Sequence, residues 1–279
     1  MGDLSTADVP SVRRDTPWEY RSLIWNFTRR DLKARYRGTT LGWLWSLAGP
    51  LATIAIYSLV FSFFFRVQPP PFGNGRTGLY AIWLITGLVT WTFLNMTISS
   101  GIPALTGNAN LLQKVYFPSF VPVLAVGLSV AIQSLIELGV VLLVLLLFLN
   151  ISWTWLLVPL WAVTICVLGN SVAYLLAVAN ARWRDIEQIM RLVLQLMFFL
   201  TPIIYPITLV PEQVGPIPAR TLVELNPFTP MIGIGRDLIY NLTLPSPAAV
   251  AYLLVLTVLA AGAATYVSRR WGRDVAELL

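Results

Sequence analysis

Long blocks without a charged residue make up most of this chain. They cover residues 38–65, 77–113, 115–136, 138–181, 192–211 and 238–268. About 20 apolar residues cross the hydrocarbon core of a bilayer as a helix. Each block can therefore hold one crossing, and 138–181 can hold parts of two. The pattern predicts an all-α integral membrane protein with six spans.

We number the predicted spans in chain order. They are placed at 47–66, 79–99, 119–149, 153–179, 186–206 and 247–267. Within the longest block the only plausible break is the Asn-Ile-Ser sequence at 150–152. The tryptophans that follow it, Trp153 and Trp155, suit an interfacial aromatic belt. Span three is longer than a bilayer requires, so it must tilt or project into the cytoplasm.

Composition agrees with a membrane protein and excludes several kinds of chemistry. Hydrophobic residues make up 57% of the chain and charged residues 11%, whereas a soluble domain carries about 25% charged residues. The chain has no histidine, which excludes an imidazole base, a histidine-ligated metal and a Ser-His triad. It also lacks a Gly-x-x-x-x-Gly-Lys-Ser/Thr phosphate loop. We predict no catalytic residue, metal site or cofactor here, so that any ATP and Mg²⁺ would be bound by a partner.

Basic residues are distributed unevenly between the two sides of the predicted topology. With the N-terminus inside, fifteen of the 19 Lys and Arg residues lie on the cytoplasmic side. Only Arg66, Arg76, Arg220 and Arg236 lie outside. This bias satisfies the positive-inside rule and predicts that both termini are cytoplasmic.

Residues 1–46 are predicted to form a cytoplasmic unit with an amphipathic interface helix over 17–37. Thr16, Pro17 and Glu19 suit a helix start. Basic residues then recur at four-residue spacing beside aromatic residues, at Arg29, Lys33 and Arg37. Such a face is typical of a helix that lies in the membrane interface. A solvated basic arm that orients the first span is the alternative.

The segment 207–246, between spans five and six, is rich in proline and still rather apolar. We predict two short helices that dip back into the outer leaflet, at 219–225 and 228–240, with Asn226 and Pro227 as the turn. An ordinary proline-rich surface loop is the alternative.

Glu137 is the one ionisable residue that lies well inside a predicted span. Charges at this depth are costly and mark functional candidates. A proton-coupled transporter usually needs several such groups, and the neighbours Gln133 and Ser134 could bond to a protonated carboxyl. A structural hydrogen bond is therefore the favoured interpretation, and a proton relay is the alternative.

Aromatic residues recur in spans one and five. The candidates for a ring-lined conduit are Tyr57, Phe61, Phe64, Phe198, Phe199 and Tyr205. Sugar rings present C–H faces that stack on aromatic rings, while their hydroxyls stay hydrated. Rings that face lipid or pack between helices are the alternative.

A short cytoplasmic segment at 104–117, between spans two and three, could transmit force from a partner. It is bounded by Gly101 and Pro103 before it and by Pro118 after it. Its apolar residues recur at three- and four-residue spacing, at Leu111, Leu112, Val115 and Tyr116. Such a face suits a cleft on a partner. Packing against the cytoplasmic ends of the bundle is the alternative.

Several motifs together resemble the ABC-2 permeases that export polysaccharides such as O-antigen, teichoic acid and related cell-envelope glycans. The resemblance runs from about residue 20 to the end. Its motifs are Arg-Asp-Leu-Lys-Ala-Arg-Tyr-Arg at 30–37, Leu-Gly-Trp-Leu-Trp at 41–45, Gly-Pro-Leu at 49–51, Leu-Leu-Gln-Lys-Val-Tyr-Phe-Pro at 111–118, Arg-Trp-Arg-Asp-Ile at 182–186, Thr-Pro-Ile-Ile-Tyr at 201–205 and Asn-Pro-Phe at 226–228.

The resemblance implies a homodimer that pairs with two copies of a separate ABC ATPase in a bacterial plasma membrane. The substrate would be a lipid-linked polysaccharide, and no nucleic-acid partner is expected. A permease domain at 47–267 would precede a cytoplasmic tail at 268–279. Spans one and five would border the conduit, 207–246 would be re-entrant, and 104–117 would be the coupling segment. That segment has a single basic residue, Lys114, and begins with a polar stretch that contains Asn108.

A lipid-linked glycan typically carries a diphosphate, which needs cations where it enters. The candidates lie just before span one, at Arg30, Lys33, Arg35 and Arg37. Arginine can meet phosphate with paired donors, whereas lysine offers a point charge. An ABC-2 permease for drug or antibiotic efflux is the alternative function, followed by a self-sufficient secondary transporter.

Overall fold

The computed structural model describes residues 16–36, 48, 51–52, 55–57, 59–64, 66, 68–115, 117–216 and 218–272. Within these ranges four helical stretches are long and apolar enough to cross a membrane. They are Tyr80–Ala104, Phe120–Leu147, Trp153–Arg182 and Pro247–Trp271. The all-helical class is therefore confirmed, together with membrane-crossing length for spans two, three, four and six. The total of six spans stays a prediction.

Shorter helices connect and flank these four. In chain order the elements are the interface helix Arg21–Tyr36, a π-helical turn Leu59–Phe64, span two Tyr80–Gly101, 3₁₀ turns Ile102–Ala104 and Thr106–Asn108, a helical turn Ala109–Leu112, span three Phe120–Leu147, a 3₁₀ turn Trp153–Leu157, span four Val158–Arg182, span five Ile186–Leu200, a 3₁₀ turn Ile207–Leu209, the external helices Ala219–Leu225 and Phe228–Arg236, a π-helical turn Asp237–Asn241, and span six Pro247–Trp271.

Three predicted boundaries were wrong. The helix of span five ends at Leu200 rather than at 206, because Thr201 turns extended ahead of Pro202. With 15 residues it is about 22 Å long, which is less than the bilayer core of about 30 Å. Span six continues to Trp271, so part of the predicted tail is helical. The interface helix begins at Arg21, after a turn at 17–20.

The break predicted at 150–152 is confirmed. Leu149 adopts the left-handed conformation with φ 55°, which is unusual for a residue with a branched side chain. The buried Asn150 side chain donates to the carbonyl of Tyr240 at 2.9 Å. A tertiary contact therefore holds the turn between spans three and four.

Small residues allow the long helices to approach closely. A methyl group added at Gly101 would lie 2.7 Å from the Ala173 Cβ atom, and one at Gly127 would overlap the Asn170 side chain. Lipid supplies no hydrophobic force between helices, so close packing of this kind holds a membrane bundle together. Spans two, three and four form the centre of the bundle, and the interface helix packs along span three.

Candidate functional site

A groove lies between spans one, two and five. Its larger cavity has a volume of about 740 Å³ and is lined by Ile56, Tyr57, Leu88, Trp91, Thr92, Asn95, Met96, Ser99 and Phe198. A smaller cavity of about 330 Å³ is lined by Trp91, Asn95, Ser99, Arg191, Leu194, Gln195 and Phe198. The two share four residues and form one continuous groove.

Two of the predicted conduit rings line this groove. Tyr57 and Phe198 lie with their ring centroids 6.4 Å apart, and Trp91 lies 5.9 Å from Phe198. Phe61 stacks on Tyr80 at 5.8 Å, and it does not line either cavity. Aromatic pairs at these distances fix one another's orientation, so the wall of the groove is a packed ring cluster.

The other predicted rings lie elsewhere. Phe64 and Phe199 are exposed, and Tyr205 is half-buried and donates its hydroxyl to the Phe199 carbonyl at 3.0 Å. Phe199 packs edge-on against Phe198 at 5.2 Å. Phe199 and Tyr205 therefore lie at the end of span five. None of the three rings lines the groove.

Span two supplies groove residues that the sequence reasoning missed. Trp91, Asn95 and Ser99 follow one another at four-residue spacing and therefore share one face of the helix. The Ser99 hydroxyl donates to the Asn95 side-chain oxygen at 2.9 Å. The polar residues Asn95 and Ser99 on one face of an apolar span are the sequence signal that could have identified this wall of the groove.

The interface helix packs along the first half of span three. The buried Thr28 hydroxyl donates to the Ala125 carbonyl at 3.1 Å, and Asp31 accepts a hydrogen bond from the Ser129 hydroxyl. The two helices run parallel, since contacts advance together along both. One face of the interface helix is therefore buried in the protein itself.

The four basic residues predicted to meet the lipid diphosphate, at what we call the cytoplasmic mouth, have different surroundings. Arg30 donates to the Asn108 side-chain oxygen at 2.7 Å. Arg35 lies 3.3 Å from the Asp31 carboxylate and donates to Gln133 at 3.4 Å. Lys33 is exposed, and Arg37 lies outside the described residues. Arg30 and Arg35 thus bind other parts of this chain.

The coupling segment 104–117 contains helical turns that end at Leu112. Leu111, Lys114 and Val115 are exposed, whereas Leu112 is buried in the cluster beneath the interface helix. The expectation that Leu112 shares an exposed face is wrong, because adjacent residues on a helix point about 100° apart. Tyr116 lies outside the described residues.

Glu137 is buried in span three and accepts a hydrogen bond from the Gln133 amide at 3.1 Å. This is the bond expected from the sequence. Through Gln133 the carboxyl group is connected to Arg35 on the interface helix.

A buried arginine in the segment 207–246 connects that segment to span two and to the chain that follows span five. Arg236 donates to the carbonyls of Pro202 at 2.6 Å and Ile203 at 2.5 Å, and it lies 3.7 Å above the Trp83 ring. Both carbonyls lie in the turn that follows the helix of span five, which ends at Leu200. Buried backbone carbonyls need a donor, and Arg236 supplies it. Sequence reasoning had counted Arg236 only as an external charge.

Other side chains attach the external helices to the bundle through backbone carbonyls. Trp161 donates to Met231 at 3.2 Å, and Thr154 donates to Leu238 at 2.8 Å. The Tyr240 hydroxyl donates to Pro70 at 2.8 Å. The predicted helix at 219–225 is confirmed, and that predicted at 228–240 consists of a helix to Arg236 followed by a π-helical turn. A loose surface loop would not be packed in this way.

Comparison with known families agrees with this architecture. Residues 22–240 match the family described as ABC-2 type transporter. The chain belongs to the ABC-2 type transporter family. Such a chain is a membrane protein, and the resemblance seen in the sequence motifs is confirmed.

Curated ABC-2 relatives cover most of the chain. It is 32% identical over 220 residues to the O-antigen export system permease protein RfbA of Klebsiella pneumoniae, covering 78% of this chain and 80% of that protein. The protein of the same name from Myxococcus xanthus is 29% identical over 267 residues, with 93% and 96% covered. The polysialic acid transport protein KpsM of Escherichia coli is 20% identical over 234 residues, with 82% and 85% covered.

Proposed function

We propose that this chain is the permease subunit of an ATP-driven exporter that moves a lipid-linked polysaccharide out of the cytoplasm. The observation that carries this proposal is the ring-lined groove between spans one, two and five in a chain whose relatives are named as O-antigen export permeases. The membrane is the bacterial plasma membrane, and both termini lie in the cytoplasm, as the distribution of Lys and Arg favours.

Energy comes from a separate subunit. The sequence lacks a phosphate loop, so ATP and Mg²⁺ bind to a partner ABC ATPase, two copies of which serve a permease homodimer. The coupling segment 104–117 docks on that partner. Its exposed Leu111 and Val115 provide an apolar contact, and Lys114 beside them provides the positive charge.

The lipid diphosphate arrives beside the interface helix. Lys33 is exposed there, and Arg37 follows it at four-residue spacing. Arg30 and Arg35 support this mouth by holding the coupling segment and span three in place. The external segment 207–246 is re-entrant and covers one end of the groove, where its Phe228 packs edge-on against Trp91 at 5.4 Å. Its Met231 carbonyl accepts from Trp161 on span four, and Arg236 lies over Trp83 on span two.

Depletion of the chain in its own host tests this function. We expect surface polysaccharide to fall while lipid-linked glycan accumulates inside the cell, and the wild-type gene should restore export. Sensitivity to a panel of drugs and antibiotics is measured in parallel. Unchanged surface glycan together with drug hypersensitivity would support the efflux alternative and contradict the proposal.

A further inference from the structure

The polar residues of the groove form two matching stripes on neighbouring helices. Asn95 and Ser99 lie on span two, and Arg191 and Gln195 lie at four-residue spacing on span five. Both stripes run toward the same rings, Trp91 and Phe198, and all six residues line one cavity of about 330 Å³. The groove is therefore polar along one stretch and aromatic along the next.

These polar groups have unused hydrogen-bonding capacity. Within the described ranges, the Gln195 amide has no hydrogen-bond partner, and the Asn95 side-chain oxygen accepts only from Ser99. An amide offers two N–H donors and a carbonyl acceptor. At membrane depth such groups cost several kcal/mol unless they find polar partners. Acyl chains cannot supply those partners, whereas water or a polar occupant can, so the groove suits a hydrated polar chain.

The charge of the groove restricts the occupant further. Arg191 is the only charged residue among the described residues that line either cavity, and its guanidinium lies 3.0 Å from the Glu187 carboxylate. That pair is exposed and nearly neutral as a unit. The remaining groups are amides, hydroxyls and rings, which suit hydroxyl groups and apolar ring faces rather than an anion.

We infer that Asn95, Ser99 and Gln195 form a hydrogen-bonding subsite for the hydroxyl groups of an uncharged sugar chain, with Trp91 and Phe198 as the stacking surface. This inference rests on the proposed export function. Neighbouring sugar hydroxyls can exchange paired hydrogen bonds with a planar amide, while the apolar face of the ring lies on the indole. Successive sugars meet the same groups in turn, so the chain can slide without a deep binding minimum.

Site-specific photo-cross-linking tests what occupies the groove. p-Benzoylphenylalanine replaces Gln195 in the permease–ATPase complex, in host membranes that make their own glycan. The matched control places it at Leu196, whose side chain is 53% exposed and lines neither cavity. We expect periodate-reactive sugar on the permease substituted at Gln195 and none on the control. After mild acid release, the trapped sugar should pass through an anion-exchange column.

Other cross-linking results overturn the inference. A product of two permease chains from Gln195 would mean that a second copy covers the groove. A mass increase that corresponds only to lipid would place Gln195 in the bilayer. Sugar that an anion exchanger retains after release would contradict an uncharged substrate.

A substitution series gives an independent test. Asn95→Leu keeps the branched shape of the side chain, Gln195→Leu keeps a side chain of similar size, and both remove the hydrogen bonds. We expect each to slow export roughly five-fold, which corresponds to about 1 kcal/mol for a lost hydrogen bond. Leu196→Met is the control and should export normally. Wild-type rates in both leucine variants would overturn the subsite alone. By contrast, normal surface glycan after depletion of the whole chain would overturn the proposed function.

Discussion

Arg30 donates a hydrogen bond to the Asn108 side-chain oxygen at 2.7 Å, across 78 positions of sequence. This bond joins the interface helix to the coupling segment. Asn108 in turn donates to the Ala104 carbonyl at 2.8 Å, which fixes its amide in place. A movement of the segment 104–117 would therefore pull directly on the interface helix.

The first prediction concerns this bond. Arg30→Ala and Asn108→Ala should each lower the amount of glycan exported per ATP hydrolysed. The loss in the double variant should be smaller than the sum of the single losses, because both substitutions remove the Arg30–Asn108 bond. We expect the Arg30–Asn108 bond to contribute about 1 kcal/mol, because exposure to water weakens a charged hydrogen bond. Arg29→Ala is the control, because Arg29 lies over Trp25 and away from Asn108. Additive losses in the double variant would contradict the link.

The second prediction separates neighbouring leucines in the coupling segment. Leu111→Asp should weaken co-purification of the ATPase without changing the amount of permease in the membrane, because Leu111 is exposed. Leu112→Asp should instead reduce the folded permease itself, because it places a charge in a buried cluster. Quantitative pull-down and membrane yield measure the two effects. If Leu111→Asp retains full ATPase association, 104–117 is not the coupling segment.

The third prediction concerns the buried arginine. Arg236→Met should lower the unfolding temperature of the purified permease and slow export, because the carbonyls of Pro202 and Ile203 lose their donor. Arg236→Lys should be intermediate, since an ammonium group lacks the planar fork.

A glycine pair provides the control for Arg236. A methyl group at Gly87 would lie 2.6 Å from the guanidinium, whereas nothing lies within 4 Å of one at Gly139. Gly87→Ala should therefore reproduce part of the Arg236→Met defect, and Gly139→Ala should not. Equal unfolding temperatures for all these variants would contradict the role given to Arg236.

The fourth prediction concerns Glu137. Glu137→Gln should export nearly normally, because glutamine keeps an oxygen that can accept from Gln133 and the energy arrives from the partner. Glycan export and ATP hydrolysis are measured in the same membranes. Loss of export in a folded, ATPase-competent variant would favour proton coupling instead.

Local signals in the sequence predicted those features that depend on a few neighbouring residues. The break at 150–152 and the helix at 219–225 are set by polar and proline residues at their ends, and the hydropathy pattern located four long spans. Features that depend on packing were missed. Whether Leu112 is buried, and which face of span two lines the groove, depend on where distant helices lie. The turn that follows span five is bound by Arg236, 34 positions beyond Pro202, and no local signal indicates that contact.

Glycan transport into inverted plasma-membrane vesicles tests the central claim most directly. Vesicles that contain this permease and its ATPase receive radiolabelled lipid-linked glycan on their outer, formerly cytoplasmic, face. We predict that added ATP moves the label to a compartment protected from glycosidase, that a non-hydrolysable analogue does not, and that collapse of the proton gradient has no effect. Protection without ATP hydrolysis, or protection that disappears with the proton gradient, would contradict an ATP-driven polysaccharide permease.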